Sequence, residues 1–199
     1  MSLYQLTIEP GTRFASDVRR GRLTPLDDDA AAELFDITQN LTAAAGLPAY
    51  ETSNHARPGE ESRHNLAYWR YQDYAGIGPG AHGRRGGVAT VRHKKPENFL
   101  AAVARQGDGI AEARVLPVAD QAAEALLMGL RLAEGVDLAA LSARFGLSRE
   151  GLIDAAALAR LCGLGMMWSA GDRIGVTPEG RSLLDTLLAE VVADTLVAA

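Results

Sequence analysis

Ala56-Arg57-Pro58-Gly59-Glu60-Glu61-Ser62-Arg63-His64-Asn65-Leu66-Ala67-Tyr68-Trp69-Arg70 is the stretch on which the reading of this chain turns. It gathers one histidine, two adjacent aromatics and three arginines. A neutral imidazole can ligate iron. Flat aromatic faces can cover a flat macrocycle, and guanidinium groups can pair with carboxylates in bidentate fashion. From residue types alone the stretch is more simply read as loop hydrogen bonds from His64 and Asn65, with Tyr68 and Trp69 plugging a core.

On its N-terminal side, Leu3-Tyr4-Gln5-Leu6-Thr7-Ile8-Glu9 alternates apolar and polar residues and predicts a strand stopped by Pro10-Gly11. Asp27-Asp28-Asp29 predicts a helix entry, with acids at the positive end of the dipole. The helix runs to about Ala45, with Ala31, Leu34, Phe35, Thr38 and Leu41 on its apolar side and Gly46 as its stop. Residues 48–54 predict a second strand, giving a strand–helix–strand opening.

On its C-terminal side, residues 57–95 are loop-rich, with a short strand at Val88–Arg92. A helix is expected from Pro96 to Arg105, and a linker at Val115-Leu116-Pro117. Further helices are expected at Asp120–Ala133, at Asp137–Phe145 and at Arg149–Leu161 behind a Ser148 cap. Gly171-Asp172 marks a hairpin between Trp168 and Val176, and Thr177-Pro178-Glu179 opens a last helix reaching Thr195. The expected fold class is α+β: a first part of strands and helices over 1–113, then a winged-helix-like helical domain over 117–199.

Charge is unevenly placed. The net charge is −5, yet residues 57–95 carry eight basic against three acidic side chains, and all four histidines, His55, His64, His82 and His93, fall between residues 55 and 93. That segment points to an anionic partner. The helix Arg149–Leu161 could be mistaken for a DNA reader, but Arg149, Glu150, Asp154 and Arg160 cancel, and phosphate contacts need a positive face. No nucleic-acid partner is expected. No apolar run approaches the roughly 18 residues of a membrane span, no leader is visible, and one cysteine, Cys162, excludes an internal disulfide. A cytoplasmic location is the simplest expectation.

His64-Asn65-Leu66-Ala67-Tyr68-Trp69 matches an HNxxYW signature and resembles HemW-type radical S-adenosylmethionine proteins, the haem chaperones related to oxygen-independent coproporphyrinogen III oxidase. Other segments resemble that family in the same order. They are Ser2–Thr12, Tyr50-Glu51-Thr52-Ser53-Asn54-His55-Ala56-Arg57-Pro58-Gly59, Asp73-Tyr74-Ala75-Gly76-Ile77-Gly78-Pro79-Gly80-Ala81-His82-Gly83-Arg84, Leu130–Val136 and Val176–Gly180. The resemblance covers essentially the whole chain. It departs at Ser62, where a cysteine is usual, and at His55, where phenylalanine is common.

The resemblance implies that residues 1–113 form the C-terminal part of a radical-SAM, partial TIM-type barrel. It implies S-adenosylmethionine and a [4Fe–4S] cluster in the full protein, with haem bound and delivered to acceptor proteins. The cluster needs closely spaced thiolates in a CxxxCxxC loop. This chain has only Cys162, so on its own it is expected to be catalytically inactive. For haem or a porphyrin the resemblance points to His64 as iron ligand, with Asn65, Tyr68, Trp69, Arg57, Arg63, Arg70 and His82 around the macrocycle. It places the main chain of Ala56, and the loop of Gly78 and Gly80, toward the S-adenosylmethionine side. Two alternatives are an oxygen-independent coproporphyrinogen III oxidase and a non-catalytic interaction module. The open edge of the strand at Leu3–Glu9 is further expected to promote self-association.

Gly78-Pro79-Gly80-Ala81-His82-Gly83 fits GxGxxG by letter. A dinucleotide site is not expected, because no helix follows the glycines.

Overall fold

The structure, a computed structural model, describes residues 1–197. The chain forms two compact units, Met1–Glu61 and Ser62–Ala199. The HNxxYW segment and the helical domain therefore lie in one unit, and the division falls well before the linker read at Val115-Leu116-Pro117.

In the first unit, α1 (Arg13–Arg19) is capped by Thr12 and α2 (Asp28–Ala44) by Asp27, whose carboxylate accepts from the Ala30 N–H. The helix α1 was not read from the sequence. The two strands were, and neither forms. Residues 3–9 are not extended in a ladder, and only single bridges join Ser2 to Asn54 and Ala49 to His55. A strand is made by its partner's N–H and C=O groups, and here those of residues 3–9 find no ladder. The open edge expected at Leu3–Glu9 is thus absent from the fold. Polar contacts knit this unit instead: the buried Glu51 carboxylate accepts from the side chain of Asn54 and from the Ser53 N–H. The expected apolar side of α2 is largely uncovered, with Leu34 and Leu41 exposed.

The second unit begins with α3 (Arg63–Trp69), in a region read as loop. Three antiparallel strands follow in the order β1 (His82–Arg85), β2 (Val88–Arg92) and β3 (Ile110–Val115), with α4 (Pro96–Gln106) between the last two. Only β2 and α4 were expected; β3 occupies part of the supposed linker.

The remaining elements surround the hydrophobic core. They are α5 (Val118–Gly129), β4 (Val136–Asp137), α6 (Leu138–Phe145), α7 (Arg149–Leu152), α8 (Ala155–Gly163), β5 (Met167–Ala170), β6 (Arg173–Val176), α9 (Leu184–Val191) and α10 (Asp194–Val197). Leu126, Leu130, Leu138, Leu152, Ile174 and Val191 meet in the core, each nearly inaccessible to solvent. The hairpin forms as read, with Gly171 at φ +61° in its turn and β4 pairing with β6.

Helix α5 ends at Gly129 where the sequence was read as helical to Ala133, and two other helices depart further. The single helix read over Arg149–Leu161 is broken at Ile153, which is extended and bridges to Val192, and Asp154 then caps α8. The last helix does not start at Thr177: a 3-10 turn at Arg181–Leu183 precedes α9, and Val192 is extended before α10. In both cases a side chain that can cap, or a residue that can bridge, competes with helix continuation.

Candidate functional site

Ser62 caps the helix α3, its hydroxyl oxygen accepting a hydrogen bond from the Asn65 N–H at 3.3 Å. Such a cap is typically worth about 1 kcal/mol. Ser62 is one of the two positions where the sequence departs from the family it resembles, and its local role here is this cap.

Helical geometry sorts the HNxxYW residues by face. His64 and Tyr68 are four apart and share one side, whereas Asn65 and Trp69 share another. His64 and Tyr68 are exposed, while Asn65 and Trp69 are half-buried. The Tyr68 ring meets Trp69 and Tyr74 edge-on, at centroid distances of 5.2 and 5.5 Å. Trp69 lies under the Arg131 guanidinium at 5.3 Å. An exposed imidazole beside an exposed phenol is a face a flat ligand can approach.

The C-terminal end of α3 is anchored to the helical core. Arg70 forms two hydrogen bonds with the Glu134 carboxylate, Nε to Oε1 and Nη2 to Oε2, both 2.8 Å. These bonds hold the Glu134 carboxyl below the usual carboxylate range. Tyr71 follows at φ +55°, a left-handed position where glycine is usual and other residues are strained. It is 1% exposed, and its hydroxyl donates to Glu124 Oε2 at 2.6 Å. The buried Arg84 lies 3.3 Å from the Tyr71 ring centroid, and Arg144 donates to the Tyr71 carbonyl at 2.8 Å. Burial, reinforced by the Glu124 hydrogen bond, raises the Tyr71 phenol above its usual range. Burial also raises Tyr74. None of these partners was legible in the sequence: Glu124 and Arg144 lie far along the chain, and no local spacing signals them.

The other expected residues are scattered. Arg57 and Ala56 belong to the first unit, where exposed Arg57 lies 3.7 Å from Glu60 and the Ala56 N–H donates to the Pro48 carbonyl at 3.2 Å. Arg63 is exposed on α3. His82 is exposed on β1, paired in register with Val91. Gly78 and Gly80 both have positive φ, at +91° and +72°, and the Gly80 N–H donates to the His93 carbonyl at 2.9 Å. The glycine loop leads into a strand, which agrees with the exclusion of a dinucleotide turn. The same loop requires Gly76, since a Cβ there would stand 2.4 Å from the His82 carbonyl oxygen.

Among the described residues no three His, Cys, Asp or Glu side chains cluster as metal ligands. Cys162 is half-buried at the end of α8, its thiol raised by burial. These residues do not fit a [4Fe–4S] cluster, which takes closely spaced thiolates. No helix among the described residues is long and apolar enough to cross a membrane.

Residues 116–183 match the HemN C-terminal domain family. Curated relatives include the heme chaperone HemW of Bacillus subtilis, 32% identical over 92% of this chain and 48% of that protein. The heme chaperone HemW of Escherichia coli is 34% identical over 98% of this chain and 50% of its own length. That of Mycobacterium tuberculosis is 36% identical over 94% and 46%. The chain thus spans about half the length of the curated relatives it matches. Among solved structures, coproporphyrinogen III oxidase (HemN) from Escherichia coli, a radical SAM enzyme, superimposes with a TM-score of 0.58 at 18% identity, over 77% of this chain and 38% of that one.

Proposed function

Since this chain belongs to the family of HemW-type heme chaperones and HemN-type radical SAM proteins, we propose that the protein binds haem and delivers it to acceptor proteins. The observation that carries this reading is the exposed face of α3, where His64 and Tyr68 stand side by side while Trp69 and Arg70 are held against the helical core. His64 supplies the imidazole to iron, and Tyr68 covers the macrocycle edge. Arg63 would meet a propionate; Asn65 and His82 complete the surroundings, and Trp69 and Arg70 act mainly by holding α3.

Residues 1–113 are proposed to be the C-terminal part of a radical-SAM barrel, with a winged-helix-like domain over 117–199. The β4-β6-β5 sheet packed with α5, α6 and α8 supports the second assignment. S-adenosylmethionine would approach the Gly78–Gly80 loop. The cluster that cleaves it requires thiolates this chain does not carry, so no step of haem transfer is assigned to it. A cytoplasmic location accompanies this reading.

Haem titration of the full-length protein and its His64→Ala variant tests the proposal. Loss of affinity and a changed Soret band in the folded variant are expected. An unchanged spectrum and affinity would remove His64 as ligand.

A further inference from the structure

A cavity of about 270 Å³ opens beside Trp69, walled by the end of α3, by α5 and by α6. We propose that it is a carboxylate-binding subsite, taking an acid carried on a short apolar stem.

The charge balance supports this. Three guanidinium groups, Arg70, Arg144 and Arg173, line the cavity against two carboxylates, Glu134 and Asp137. Both carboxylates are already engaged, Glu134 by Arg70 and Asp137 by the Ala140 N–H at 2.9 Å, where it caps α6. Arg144 and Arg173 donate to neutral main-chain acceptors, the carbonyls of Tyr71 and Glu134, at 2.8 and 2.7 Å. One positive charge remains in excess, and a monocarboxylate matches it.

The rest of the wall is apolar, with Ala125, Leu132, Val136 and Leu141 beside the Trp69 ring. That combination of apolar lining and a few polar groups is usual for small-ligand sites. The volume falls just below the roughly 300 Å³ lower end for drug-sized ligands, so the cavity receives a substituent or a small acid and not a macrocycle. Two sources offer that chemistry: a porphyrin propionate, which rests on the haem reading above, and a free short-chain carboxylate, which does not.

Amide shifts of Gly135, Ala140 and Arg173 in a nitrogen-edited NMR titration of this chain distinguish the outcomes. The probes are butyrate against butyramide, and coproporphyrin against its tetramethyl ester. Saturable shifts from either acid, without matching shifts from its neutral partner, are expected, and which acid produces them names the source. Arg173→Gln should weaken that binding roughly tenfold, as loss of a charge-assisted hydrogen bond does. Ala140→Leu should block it sterically while the remaining spectrum stays folded. Equal shifts from acid and neutral partner, no saturable shift from either acid, or full binding by both variants would overturn the site. His64 is not among the residues lining the cavity, so the haem reading and this one can fail separately.

Discussion

The Tyr71 hydroxyl donates to Glu124 Oε2 across 2.6 Å, joining the residue just past α3 to the middle of α5. With Arg84 against the Tyr71 ring and Arg144 on its carbonyl, this pair fixes the HNxxYW helix on the helical domain.

Tyr71→Phe keeps the ring and removes that bond. A hydrogen bond to a charged group contributes about 1.5–3 kcal/mol, but the Glu124 side chain is 42% exposed and can rehydrate. A loss near the lower end of that range is expected in urea unfolding. Tyr71→Ala should cost more, about 3–5 kcal/mol, by opening a cavity. Equal midpoints for wild type and Tyr71→Phe would show that the bond contributes nothing.

Alkaline pH gives a signed test. The Tyr71 phenol has its pKa raised in the folded state, chiefly by burial. Above about pH 10 an unfolded tyrosine releases its proton while folded Tyr71 retains it. The native state then binds more protons, and stability falls as pH rises. Thermal midpoints should decline above that pH, and Tyr71→Phe should flatten the decline.

The Arg70–Glu134 pair acts at the other end of the scale. Glu134 is held below its ordinary value, so its contribution is present above the usual carboxylate range and is lost as pH falls through the lower folded value. Both side chains are more than a third exposed, which limits the effect to about 0.5 kcal/mol. Glu134→Gln should remove that increment at pH 7 and leave stability nearly unchanged at pH 2; the same deficit at both would contradict the assignment.

Gly76→Ala is expected to be costly. Its Cβ would meet the His82 main-chain oxygen, which has no flexible end to yield. Overpacking of this kind costs about 1–3 kcal/mol. The neighbouring Ile77→Ala, at an 88% exposed position, should stay within roughly 0.5 kcal/mol. Comparing the two melting temperatures separates backbone crowding from loop sequence.

Asp154→Ala should cost about 1–2 kcal/mol, because one carboxylate oxygen accepts from both Ala156 and Ala157 N–H, at 2.8 and 2.9 Å. Asp154→Asn should restore most of it. A neutral alanine variant would mean that the break between α7 and α8 is set by Ile153 alone.

Sequence by itself determined the elements whose signals lie within a turn of the chain. The Asp27 cap and Gly46 bound α2, Pro96 opens α4, Asp137 and Gly146 bound α6, and Gly171 turns the hairpin. Each depends on a side chain or a positive φ acting on backbone a few residues away. The resemblance carried by HNxxYW was equally local. Tertiary structure alone decided that residues 3–9 form no strand, that Ile153 leaves its helix to bridge with Val192, and that α3 stands where a loop was read. It also decided which residues of the motif face outward. Tyr71 finds Glu124, Arg70 finds Glu134, and Arg144 finds the Tyr71 carbonyl across 53 to 73 positions of chain. Such pairings depend on packing of the whole core, and no periodicity along the sequence encodes them.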